Sequence, residues 1–101
     1  MTVQDYIYAE KAFEKALAAI KSADYDLAGG FFEATANRAY YTCFYCMIAL
    51  LYTQSIIAKT HSGTKTKFME LFVKTSILSV SISDAVTVLF ESRQEADYDL
   101  D

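Results

Sequence analysis

Ala39-Tyr40-Tyr41-Thr42-Cys43-Phe44-Tyr45-Cys46-Met47-Ile48-Ala49-Leu50-Leu51-Tyr52-Thr53-Gln54-Ser55-Ile56-Ile57-Ala58 is a run of 20 residues without a charged side chain. It is long enough to span a bilayer. Three features favour a buried central helix instead. Thr42, Thr53, Gln54 and Ser55 are polar. Tyr40, Tyr41, Tyr45 and Tyr52 are spread along the run rather than gathered at two interfacial belts. The run also follows directly on a polar helical start containing Glu33, Asn37 and Arg38. A helix that is apolar all round must be covered on most faces. A chain of 101 residues has little other material for that. The expectation is therefore a homodimer through residues 39–58, most simply two-fold, with no membrane contact.

The flanking sequence extends the helical reading. Proline is absent and there are three glycines, so breakers are few and a turn-rich all-β fold is excluded. With 53% hydrophobic and 22% charged residues, the chain has material for one small core in a single domain, residues 1–101. Thr2 and Asp5 have capping-box spacing. Val3, Tyr6, Ile7, Phe13, Ala16, Leu17 and Ile20 then recur at three and four, while Lys11, Glu14, Lys15 and Lys21 fall off that stripe. This predicts an amphipathic first helix ending near Asp24, followed by a turn at Gly29-Gly30. A second helix runs from about Phe31 to Ile56. Lys59-Thr60-His61-Ser62-Gly63 reads as a loop, and Phe68, Leu71, Phe72 and Thr75 mark a third helix. Ser79 to Ser83 alternates as a strand does, but a lone five-residue strand has no partner and reads better as a connection. Ser81 and Asp84 repeat the capping spacing. Ile82, Ala85, Val86, Leu89, Arg93 and Ala96 define one face of a fourth helix. The expected class is all-α, an up-and-down bundle of about four helices.

Thirteen acids against nine bases give a net charge of −4, but the acids are concentrated at the end. Residues 91–101 hold five of the acids and one base, so the rest of the chain carries eight of each. That is not the strongly basic surface of a general nucleic-acid binder. Between Glu33 and Glu70 there is no acid, while Arg38, Lys59, His61, Lys65 and Lys67 lie in that window. It reads as a solvated face, with a phosphate site as the alternative. Cys43 and Cys46 form a C-x-x-C in apolar company, mid-helix, where burial raises a thiol pKa. They read as core residues, reduced and cytoplasmic, since the polar start Thr2-Val3-Gln4-Asp5 carries no signal peptide. Two cysteines and one histidine do not make a zinc site, and no cofactor or metal is implied. His61, the single histidine, reads as a locally bonded loop residue. The tyrosines of the charge-free run resemble a base-stacking platform, but such platforms are interleaved with Lys and Arg, and residues 39–58 contain neither. Their hydroxyls need partners if buried, and Asn37 and Arg38 are the expected ones. Arg93 falls on the apolar face of the fourth helix, where it must pair, for instance with Asp97 four residues on, or face a shared cleft.

Asn37-Arg38-Ala39-Tyr40-Tyr41, Lys59-Thr60-His61-Ser62-Gly63 and Arg93-Gln94-Glu95-Ala96-Asp97-Tyr98-Asp99, in that order, resemble the HEPN domain family, in its small bacterial stand-alone branch. The resemblance covers nearly the whole chain. It implies a bundle of four or five helices, a homodimer, and frequent association with a minimal nucleotidyltransferase, often as a toxin–antitoxin pair. In catalytic members, an Arg-x(4–6)-His motif forms a metal-independent ribonuclease site. Here Arg93 matches the arginine, but the position five after it is Tyr98, and tyrosine titrates near 10. The expectation leans away from an enzyme. It is a dimeric module binding a nucleotide, RNA or a nucleotidyltransferase partner through Arg93, Tyr98, Asn37, Arg38 and Asp97, with Lys59 and His61 as loop candidates. The alternatives are a metal-independent ribonuclease, with His61 brought onto Arg93, and a purely structural interaction module. Family members also usually continue through a further helix after Ala96-Asp97-Tyr98-Asp99, where this sequence stops at Asp101.

Overall fold

A computed structural model describes residues 1–98, with side chains through Arg93. Four α-helices follow one another: α1 (Val3–Ala28), α2 (Phe32–Tyr52), α3 (His61–Phe68), prolonged by a π-helical segment (Met69–Val73), and α4 (Val80–Tyr98). There is no strand among the described residues. The all-α bundle of about four helices is therefore as expected.

The helix ends follow local chemistry. The Thr2 hydroxyl accepts from the Asp5 amide and the Asp5 carboxylate accepts from the Thr2 amide, both at 3.0 Å, closing the expected capping box. α1 continues past Asp24 to Ala28, because nothing in Tyr25-Asp26-Leu27 breaks a helix. It turns at Gly30, whose φ of +78° a side chain would strain. α2 stops at Tyr52, short of Ile56. In the turn that follows, Ser55 adopts φ +59° and its hydroxyl donates to the Asp5 carboxylate at 2.6 Å, clasping the end of α2 to the start of α1. That hydroxyl, together with the Thr2 groups, holds the Asp5 carboxyl below its ordinary value.

Two expected boundaries are corrected. Lys59–Gly63 is not a loop throughout. Thr60 is the N-cap of α3, its hydroxyl accepting from the Gly63 amide at 2.9 Å, and His61, Ser62 and Gly63 form the first helical turn. The second capping box is absent, since α4 already begins at Val80 and Ser81 lies inside it, its hydroxyl 2.7 Å from that of Ser79.

The core cluster joins Tyr40, Phe44, Met47 and Leu51 of α2 to Phe68, Phe72 and Val86. α1 adds nothing to it and packs on α2 alone. Its buried face is Ala12, Ala16, Ala19 and Ala23, so of the predicted stripe Ala16 is buried while Phe13, Leu17 and Ile20 lie exposed. Alanine methyls at spacings of three and four let two helices approach closely, and larger side chains in that seam would hold them apart. On α4 Val86 is buried and Leu89, Phe90 and Arg93 are half-buried, while Ile82 and Ala85 of the expected face are exposed.

α2 does not need a second copy to cover it. Within 39–58 only Gln54, Ser55 and Ile57 are exposed in the single chain, because the alanine face of α1 closes one side and α3 and α4 the other. Covering residues 39–58 therefore does not by itself require the expected homodimer. No helix among the described residues is long and apolar enough to cross a membrane. Cys43 and Cys46 are free, half-buried thiols, and burial pushes Cys43 up to about 11.

Candidate functional site

Two residues 32 positions apart meet beside α2. The first turn of α3 carries His61 inward, and the buried face of α4 carries Arg93, so that Arg93 Nη1 lies 3.2 Å from His61 Nδ1. Tyr40 Oη lies 2.5 Å from the same Nδ1. Arg93 Nη2 donates to Tyr41 Oη at 3.2 Å. The guanidinium also rests on aromatic faces, 4.6 Å from the Tyr40 ring centroid and 5.3 Å from that of Tyr41.

Hydrogen-bond logic fixes the state of His61. A guanidinium can only donate, so Nδ1 must accept, and the neutral ring carries its proton on Nε2. Burial first, and the Arg93 charge second, push His61 below its ordinary 6.5. The ring is therefore neutral at neutral pH, with a basic lone pair directed at Arg93 and Tyr40. Phe44, 4.2 Å away centroid to centroid, walls the imidazole. Tyr40 is 2% exposed, and burial pushes its hydroxyl above 10, with Arg93 pulling partly back.

The other sequence candidates are distributed as follows. Arg38 joins the site by its charge, 5.1 Å from the Tyr41 ring, so two guanidinium groups approach one tyrosine. Asn37 is exposed and accepts from Arg38 Nη2 and Nε at 2.8 and 3.3 Å, orienting that arginine rather than satisfying a tyrosine. The hydroxyls of Tyr40 and Tyr41 find their partners in His61 and Arg93, not in Asn37 and Arg38 as expected. Lys59 is exposed, and it lines a shallow depression of about 400 Å³ with Thr60, Gly63 and Lys67. Asp97 and Tyr98 belong to the last turn of α4, and their side chains lie outside the described residues. His61 is not the locally bonded loop residue expected from sequence. Both of its polar partners come from other helices.

Tyr40 and Tyr41 are the site residues that sequence reasoning left among core positions. The signal was present: adjacent tyrosines on a buried helix carry two hydroxyls that must be satisfied, and the chain has few polar groups able to reach them.

Comparison with known proteins establishes the family of the chain. The HEPN domain model matches residues 9–101, and the chain belongs to that family. It is 37% identical over 90 residues, 89% of its length, to a Methanocaldococcus jannaschii protein named Putative toxin MJ0142. It is 34% identical over 66 residues, 65% of its length, to a Thermotoga maritima protein named UPF0332 protein. The aligned segments cover 61% and 50% of those two relatives. No solved structure matches the chain.

Proposed function

We propose that the Arg93–His61 pair is a metal-independent RNA-cleaving centre of a toxin-type HEPN module. The supporting observation is the 3.2 Å approach of Arg93 Nη1 to His61 Nδ1, which supplies from α3 the histidine that the sequence after Arg93 lacks.

The chemistry is transesterification within the RNA strand. The 2′-oxygen attacks the neighbouring phosphorus, the P–O5′ bond breaks, and a 2′,3′-cyclic phosphate and a 5′-hydroxyl remain. When phosphate oxygens take both the Arg93 N–H and the Tyr40 O–H, the Nδ1 lone pair is freed to accept the 2′-hydroxyl proton, and the imidazolium or solvent returns a proton to O5′. Arg93, held against Tyr41, and Arg38 beyond it face the negative charge that develops on the phosphorane. The depressed pKa keeps His61 in its base form at neutral pH. Free thiols at Cys43 and Cys46 fit a reducing, cytoplasmic setting.

A second reading has its own support. The single acceptor of His61 is already occupied by two donors, Tyr40 and Arg93, as in a site that binds phosphate without turning over. In that reading the module binds a nucleotide or RNA, or docks a nucleotidyltransferase in a toxin–antitoxin pair. Homodimer formation belongs to either reading.

The test is incubation with RNA in the presence of EDTA. The expected product is 2′,3′-cyclic phosphate ends, with His61→Ala lowering the rate by about 10²–10⁴-fold and Arg93→Ala by about 10²–10³-fold. Tight RNA binding by the folded protein with no cleavage would give the site to the second reading.

A further inference from the structure

The tyrosines of α2 continue beyond the Arg93–His61 pair. Tyr41, Tyr45 and Tyr52 share one face of the helix, with the Tyr41 and Tyr45 rings 5.8 Å apart. Along this face α1 supplies the cations that α2 lacks. Lys15 Nζ lies 5.7 Å from the Tyr45 ring, and Lys11, one turn earlier on α1, borders the same hollow. That hollow, of about 260 Å³, is walled by Tyr8, Lys11, Lys15, Tyr45, Ile48 and Tyr52, and its wall contains no carboxylate. Tyr8 from α1 closes on Tyr52 at 5.4 Å. At the near end, the Arg38 and Arg93 guanidinium groups both approach Tyr41.

Tyrosine faces alternating with positive side chains are the chemistry that holds an unpaired nucleic-acid strand: rings take bases, and ammonium and guanidinium groups take phosphates. We infer that the α1–α2 seam is a track for single-stranded RNA, leading away from the Arg93–His61 pair over Tyr41, Tyr45 and Tyr52, with Arg38, Lys15 and Lys11 facing the phosphates. This deepens the RNA-cleaving reading, on which it rests, by naming the substrate as unpaired and by giving the strand a course. Tyr41 to Tyr52 covers about 16 Å along the helix axis. The track stops there, because the ionised Asp5 carboxylate, bonded to Ser55, stands at that end of the seam and repels phosphate. The larger groove beyond Phe90, about 550 Å³, is a poorer course. Glu70 and Glu91 offset Lys65 and Lys74 in its wall. A duplex cannot use the seam, since its base faces are already stacked on one another.

The test is anisotropy with labelled oligouridine, measured on His61→Ala protein so that the strand is not consumed. Lys11→Ala/Lys15→Ala weakens binding by about tenfold and lowers the log–log salt slope by about 1.4, about 0.7 for each lysine on a single strand. Tyr45→Leu weakens binding by about tenfold or more. Lys67→Ala/Lys74→Ala removes the same charge from the α3 side and leaves affinity unchanged. Circular dichroism melting checks that each variant folds. The inference is overturned if the two lysine pairs weaken binding equally, if neither does, if a blunt RNA duplex binds as tightly as oligouridine, or if the Lys11/Lys15 variant keeps RNA affinity and loses a protein partner instead. These readouts are independent of turnover. An absence of cleavage sinks the catalytic reading while the binding data decide the track.

Discussion

At the scale of the residue, the molecule turns on one imidazole between two donors. Arg93 Nη1 and Tyr40 Oη converge on His61 Nδ1, and the Arg93 charge favours the neutral ring. Burial adds to this, so His61 titrates below 6.5. The chain has a single histidine, which makes this directly measurable as one imidazole resonance in a proton NMR titration. The midpoint falls below 6.5 in the wild type and moves up toward it in Arg93→Gln. An unshifted midpoint in the variant would show that the guanidinium does not act on the ring. The same depression has a sign for stability. The unfolded chain binds the proton at higher pH than the folded one, so the contribution is fully present above 6.5 and is lost as pH falls through the folded value. Thermal melts should therefore decline over that window, and the decline should shrink in His61→Ala. None of this pairing could be read locally. The sequence announced an arginine on an apolar helix face and a histidine 32 positions earlier, and only the packing of α3 and α4 on α2 brought them together.

Among the elements, α1 reverses an ordinary expectation about core residues. Its apolar periodicity is clear in the sequence, and the helix forms, but from the predicted stripe only Ala16 is buried, and Ala12, Ala19 and Ala23 complete the buried face. Ala16 is 2% exposed and Leu17 is 47% exposed. Ala16→Leu should thus destabilise the fold by about 1–3 kcal/mol, by forcing α1 off α2. Leu17→Ala should shift stability by no more than about 0.5 kcal/mol, as an already exposed position does. Denaturant melts of the two variants decide it, and the opposite order would mean that the large side chains form the seam. Hydrophobic period revealed that a helix was there and not which face it used, because the choice depends on how closely α2 can approach. The same limit touches α4, where Val86, Leu89 and Arg93 of the expected face turn inward together with Phe90, while Ile82 and Ala85 lie exposed.

In the whole molecule, stability is divided unequally. The core joins α2 to α3, its π-helical prolongation and α4, while α1 lies along α2 alone, with the Ser55–Asp5 hydrogen bond at one end. Amide exchange should accordingly be faster in α1 than in the middle of α2, and Ser55→Ala should speed the first turns of α1 further. Equal protection across both helices would show that the bundle opens as one unit. The charge-free run 39–58, the absence of proline and the three apolar periods on either side determined a helical bundle with that run at its centre, because hydrophobic pattern and breaker positions are local properties of a chain. The sequence order of three polar motifs also pointed to the HEPN family. Tertiary structure alone decided that one chain covers its own central helix, that His61 reaches Arg93, and that α1 lends lysines to tyrosines which have none in their own segment. Each of those is a distance between residues far apart in sequence, set by the packing of whole helices rather than by the neighbours of any one residue.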